Sequence, residues 1–171
     1  MLSGKGEHDK AIVCIEKSLA IRLKTFGSEH PEIAGTFQGI GGVHREKGDS
    51  DTAIEYYDKA LEIFLKRDGP GNLDLGHLYF DLGLAYGEKG DHSQAIKYLL
   101  KSRGILSKKL GPDNIKLAEV YQALAGIYSE KGNLAKVRTC LKKKKAIQMR
   151  KLGPHNPDTI ETQSLIEMMK K

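Results

Sequence analysis

The chain has 171 residues, 39% of them hydrophobic and 29% charged, a composition that fits one soluble globular domain with a modest core. No apolar run approaches the roughly 18–20 residues a membrane span needs, residues 1–7 lack the apolar stretch of a secretory leader, and two cysteines make neither a disulfide framework nor a zinc cage. The net charge of +6 is uneven, −4 over residues 1–87 and +10 over residues 88–171; a solvated basic helix face accounts for this, and so does attraction to an acidic protein, a nucleic acid or a membrane surface.

Nineteen glycines against five prolines point to many regular turns, and those turns fall on a grid. Gly6, Gly48, Gly90 and Gly132 recur every 42 residues, and Gly27, Gly69, Gly111 and Gly153 keep the same spacing. Self-similarity at a fixed period signals stacked repeats. In chain order, the first element is a helix over 9–26, with Ala11, Ile12, Ile15, Leu19 and Leu23 on one face. A shorter helix follows over 31–46, opened by Pro31 at a first-turn position where a missing N–H costs little. The longer helix over 51–67 presents Ala53, Ile54, Tyr57, Ala60, Leu61, Phe64 and Leu65. A short helix over 73–88 and a long one over 93–110, with Ala95, Ile96, Leu99, Leu100, Ile105 and Leu106 inward, repeat the scheme. The third pair covers 115–130 and 135–152, and Pro157 opens a last short helix over 157–171. The Asp or Asn after each middle glycine caps the helix that follows, and the glycines supply left-handed residues at helix ends. No segment alternates with period two, so no sheet is expected.

The short helices carry Phe37, Ile40, Gly41 and His44, then Tyr79, Leu82, Gly83 and Tyr86, then Tyr121, Leu124, Ala125 and Tyr128. Each set is followed by a glycine and by Ala53-Tyr57-Ala60, Ala95-Leu99-Ser102 or Val137-Leu141-Lys144. This order resembles the tetratricopeptide repeat, with Lys144 the departure. The eight residues beyond the family's 34-residue unit lengthen the second helix and its loop. With Phe26-Gly27-Ser28-Glu29-His30-Pro31 as linker, the variety is similar to the repeats of kinesin light chains. The resemblance implies an all-α, right-handed α-solenoid of antiparallel helix pairs with the shorter helices on its concave face. One domain over 1–171 is expected: a partial repeat over 1–30, full repeats over 31–72, 73–114 and 115–156, and a terminal helix over 157–171. Small residues at Gly41, Gly83, Ala125, Ala53 and Ala95 let paired helices approach closely.

No catalytic or metal-ligating constellation stands out, so no enzyme, metal or cofactor is expected. His8, His30, His44, His77, His92 and His155 lack ligand spacing, with His30 and His155 in turns and His44 read as a half-buried packing residue. No carboxylate stands isolated on an apolar face where its pKa would rise. Cys14 and Cys140 share one repeat position three periods apart and read as reduced, half-buried packing residues.

The resemblance places ligand-facing side chains at Gly35, Gln38, Gly42, Arg45 and Glu46, at His77, Phe80, Leu84, Gly87 and Glu88, and at Glu119, Gln122, Gly126, Ser129 and Glu130. Gln38, Phe80 and Gln122 stand where kinesin light chains carry asparagines. Phe80 and Leu84, one turn apart, either form an apolar spot in the groove or pack under the next helix. Glu46, Glu88 and Glu130 precede Lys-Gly near helix C-termini, where the macrodipole disfavours a carboxylate, so each needs a local partner or a ligand. Lys142-Lys143-Lys144-Lys145 lies on a helix, wraps around it and lacks aromatic company, which argues against nucleic acid. The function expected is a non-enzymatic, cytoplasmic scaffold binding a protein or peptide segment in its concave groove, with no membrane role. The alternative is a self-association module working through uncovered terminal helices at Ile12, Ile15, Leu19, Leu23, Leu165, Met168 and Met169. Met1 aligns with Val43, so the chain is expected to open inside a shorter helix.

Overall fold

The structure is a computed structural model that describes residues 3–69 and 71–169; the side chains of 3–7, 9 and 68 lie outside that description. Among the described residues there are eight helices and no strand: α1 (Ser3–Phe26), α2 (Pro31–Glu46), α3 (Ser50–Asp68), α4 (Leu73–Glu88), α5 (His92–Leu110), α6 (Ile115–Glu130), α7 (Leu134–Lys151) and α8 (Pro157–Met168). The short helices α2, α4 and α6 occupy the expected residues, α8 ends at Met168 instead of running on through Met169, and α3, α5 and α7 each begin one residue early. Contacts join mainly consecutive helices, with weaker ones between α2 and α4 and between α4 and α6. The chain is an all-α solenoid of paired helices.

The grid is written in the turns. Gly27, Gly48, Gly69, Gly90, Gly111, Gly132 and Gly153 all have positive φ, between 68° and 87°, a region open to glycine at little cost. Asp49, Asp91 and Asn133 cap the long helices by accepting from the amides of Thr52, Gln94 and Lys136 at 3.0–3.2 Å. Asn72, Asn114 and Asn156 cap α4, α6 and α8, and the His30 ring takes that role at α2. Pro31 and Pro157 sit in first turns.

Three expectations are corrected here. Gly6 makes no turn: α1 runs unbroken from Ser3, because Glu7 stands where the other repeats carry Asp or Asn, and glutamate is not a helix-capping residue. The expected shorter helix at the start is therefore replaced by α1 from Ser3 onward, while its residues Met1 and Leu2, like Lys170 and Lys171 at the other end, lie outside the described residues. Cys14 is exposed on α1, unlike buried Cys140, since no helix packs against that side of α1 among the described residues. Leu65 of α3 and Leu100 of α5, expected inward, are exposed, while Ile63 is buried on α3 and Ser102 on α5. A long helix contacts the short helices before and after it, which turns its buried stripe away from the position a single neighbour would select.

The core divides into two clusters. One holds Ile33, Ala34, Ala53, Tyr57, Phe64, Leu75, Leu82 and neighbours from α2, α3 and α4. The other holds Leu99, Leu106, Leu117, Val120, Leu124, Leu141, Ile147, Ile166 and neighbours from α5 to α8. Their seam runs between α4 and α5, where a Cβ on Gly83 would lie 2.7 Å from Leu99 Cγ and one on Gly76 would lie 3.0 Å from Leu106 Cδ2. Glycine there lets the two backbones close in. In the first pair Gly41 does the same against the Tyr57 ring.

Candidate functional site

The short helices α4 and α6 face each other across an open cavity of about 640 Å³. Its floor is apolar, built by Phe80 and Leu84 of α4 and by Ile115, Ala118 and Ala123 of α6. Phe80 is half-buried: it packs on the C-terminal core cluster and also lines the cavity. The polar rim consists of Glu119, Gln122, Lys144 and Asp158. Lys144 Nζ donates to Gln122 Oε1 at 2.7 Å, and Lys116 Nζ donates to Glu119 at 3.1 Å. At the wall stands Gln148, only 3% exposed, whose side-chain oxygen has no hydrogen-bond partner among the described residues. A buried amide oxygen left unpaired is costly, on the order of 1–3 kcal/mol.

Of the residues expected in the groove, Phe80, Leu84, Glu119 and Gln122 share this cavity. Leu84, Glu88 and Glu130 line an adjoining cleft of about 180 Å³ between the same helices. Gln38, Arg45, Glu46 and His77 are not among the lining residues of either. Gln38 Nε2 donates to Asp81 at 2.6 Å, and Arg45 Nη1 donates to Glu88 at 2.6 Å. These contacts tie α2 to α4.

The recurring glutamates find local partners. Glu46 lies 4.0 Å from His8, Glu88 accepts from Arg45 and, at 3.4 Å, from Ser50, and Glu130 lies 3.3 Å from His92. His8, Ser50 and His92 are themselves 42 residues apart, so the long helix of one repeat repeatedly meets the acidic end of the next short helix. His44 stacks on Tyr56 with centroids 5.7 Å apart, as a packing residue should, and its Nδ1 lies 3.3 Å from the Asp49 carboxylate.

Sequence reasoning missed Asp81. Burial pushes its carboxyl above the usual carboxylate range, against the pull of the Gln38 hydrogen bond and the charges of Arg45, His77 and Lys116. The same surroundings affect Tyr57: burial first, then the Asp81 charge, push its phenol up to about 12. The expectation that no carboxylate is raised therefore fails. The signal was available, because Gly39 and Ala123 hold the place of Asp81 in the neighbouring repeats. The Gln148, Leu152 and Asp158 walls were also missed, since they belong to α7, its loop and α8. The four lysines do wrap around α7. Lys142 and Lys145 line a cleft with Gln163 of α8, Lys143 faces α5, and Lys144 faces the groove.

A wider cleft of about 930 Å³ lies beside the Phe26–Glu32 turn but gathers mostly turn residues. Among the described residues no group of three or more His, Cys, Asp or Glu could hold a metal ion, and no helix is long and apolar enough to cross a membrane.

Paired helices stacked in register, with glycine turns every 42 residues and an open face along the short helices, define a helical-repeat solenoid. The tetratricopeptide-repeat family profile matches residues 1–66, 32–108 and 74–143, and the chain belongs to that family. No curated protein matches it in sequence. Among solved structures it is similar to BtubC from P. vanneervenii, at 24% identity and a TM-score of 0.77, covering 89% of this chain. It spans 61% of that BtubC chain's length. It is also similar to the kinesin-light-chain candidate of P. anserina with nearly identical TPR-like repeats, at 22% identity and a TM-score of 0.81, covering 96% of this chain and 78% of the other. The N-terminal domain of stress-induced protein-1 from C. elegans follows at 16% identity and 0.63, covering 82% and 97%. At these identities the likeness is one of fold.

Proposed function

We propose that the chain is a non-enzymatic protein–protein interaction scaffold that holds a protein or peptide segment against α4 and α6. The observation that carries this reading is the apolar cavity floored by Phe80 and Leu84, with the unpartnered Gln148 oxygen in its wall. An apolar anchor fills such a floor. Glu119 and Asp158 at the rim favour basic neighbours on that anchor. The likeness in fold to a kinesin-light-chain candidate is in keeping with an adaptor role. Peptides selected by display on the intact chain test the proposal. Binding should fall at least tenfold in Phe80→Glu/Leu84→Glu with helicity unchanged; selected peptides that bind this double variant as well as the original overturn it.

A second reading rests on a different observation. α1 packs only on α2, and α8 only on α7, among the described residues. Ile21 is 67% exposed on α1 and Met168 64% on α8, and Leu23 of α1 is exposed as well. Ile12, Ile15, Leu19, Leu165 and Met169 are half-buried beside them. Exposed aliphatic stripes of this kind favour association. Light scattering across concentration checks it: growth in mass that Ile15→Lys and Leu19→Lys abolish supports self-association, and a concentration-independent monomer at low salt rejects it.

A further inference from the structure

One position runs through the array as Cys14, Tyr56, Tyr98 and Cys140, each 42 residues from the next. In the first full repeat the Tyr56 ring sits between two rings of the short helix, 6.1 Å from Phe37 and 5.7 Å from His44. Lys59 Nζ lies 4.5 Å from its centroid. The second repeat repeats the arrangement: Tyr98 is 5.8 Å from Tyr79 and 5.4 Å from Tyr86, with Lys101 Nζ at 5.5 Å. Each short helix thus offers two aromatic walls, and the long helix inserts a phenol between them under a lysine.

The third repeat keeps every part except the ring. Tyr121 and Tyr128 stand at the wall positions and Lys143 at the lysine position, but Cys140 replaces the phenol. A cavity of about 240 Å³ opens there, lined by Tyr121, Tyr128, Cys140 and Lys143 and by Leu100 and Arg103 of α5. It shares no lining residue with the groove between α4 and α6. Lys136 also borders it, with Nζ 4.9 Å from the Tyr128 centroid. No carboxylate among the described residues pairs with Arg103, Lys136 or Lys143. Burial pushes the Cys140 thiol up, so the floor of the slot is neutral.

We infer that this slot receives an aromatic side chain from a partner protein, inserted between Tyr121 and Tyr128 from a segment with acidic residues on either side. The occupant is defined by the chain itself, because Tyr56 and Tyr98 show what fills the same geometry. The three unpaired cations set the sign of the flanking charges. A nucleobase also has a stacking face, but the sister slots are filled by a phenol on a protein backbone, which favours a tyrosine-bearing peptide.

The test uses the full chain and two probe peptides, acetyl-EEYEE-amide and acetyl-EEAEE-amide, titrated by calorimetry at low salt. The tyrosine peptide should bind at least tenfold more tightly than the alanine peptide. Cys140→Tyr, which supplies its own ring, should erase that difference. Lys143→Ser, a change at an exposed residue, should weaken binding of the tyrosine peptide and flatten its salt dependence. The Phe80→Glu/Leu84→Glu groove variant should bind the tyrosine peptide unchanged, so this result stands or falls separately from the groove. Equal affinity for the two peptides overturns the inference. So does undiminished tyrosine preference in Cys140→Tyr, or tighter binding of oligothymidylate than of the tyrosine peptide.

Discussion

Replacing Gly41 by alanine tests how tightly the first helix pair is closed. A Cβ built on Gly41 lies 2.6 Å from Cε1 and 2.7 Å from Cδ1 of Tyr57, and 3.0 Å from the Ala53 carbonyl oxygen. Carbon atoms normally approach to about 3.5–4.0 Å, so the ring has to retreat by roughly 1 Å. Tyr57 is 1% exposed and wedged in the N-terminal core cluster, which leaves it nowhere to go without moving α3. Overpacking of that kind costs about 2–3 kcal/mol, and the better helix propensity of alanine returns about 1 kcal/mol. The net loss is about 1–2 kcal/mol, or roughly 3–6 °C in Tm for a chain of this size. Gly39→Ala is the internal control. It sits two residues earlier in α2, exposed, with nothing within 4 Å of its added Cβ, so it should stabilise by about 0.5–1 kcal/mol. Urea and thermal unfolding followed by circular dichroism at 222 nm measure both. A Gly41→Ala protein as stable as the original refutes the close-approach argument.

Asp91→Ala removes the acceptor for the Gln94 amide at the start of α5 and should cost about 1 kcal/mol in urea unfolding. Asp91→Asn should stay within a few tenths of the original, because Asn133 makes the same cap on α7 at 3.1 Å. Asp81→Asn should change the pH dependence of stability. Burial raises the Asp81 carboxyl, so the folded state holds that proton more tightly than the unfolded one. Its contribution is fully present below the unfolded value near ~3.9 and is lost as pH rises through the folded value. The asparagine variant should therefore gain on the original from pH 4 to pH 7, read as a difference in urea midpoints; a constant difference across that range contradicts the assignment.

The parts of the fold that depend on local chemistry were legible in the sequence. Turn glycines, the Asp/Asn caps and the two prolines act within a few residues, so Gly90-Asp91 or Asn156-Pro157 announces a helix end without knowledge of the rest. The choice between Ile63 and Leu65 on α3 was not legible, since it depends on two neighbouring helices pulling on one stripe. Asp81 could have been found by comparing repeats column by column, as an acid in a column of small residues. The groove's walls could not. Gln148 and Asp158 reach it from helices whose own repeat positions say nothing of it, because a cavity between four helices is set by their relative placement. Even the four consecutive lysines acquire distinct surroundings only once α5, α6 and α8 are in position around α7.

The seam between the two core clusters coincides with the change in charge. The N-terminal cluster ends with Ala85 and the C-terminal one begins at Ala95, and the balance passes from −4 over residues 1–87 to +10 beyond them. Because each helix touches mainly its neighbours in sequence, this is a separation along the array, which makes the molecule a long electric dipole. Near a negatively charged body such a rod turns before it touches, within a Debye length of roughly 8–10 Å. The end that arrives first carries the aromatic slot and most of the groove wall, while the acidic half trails behind.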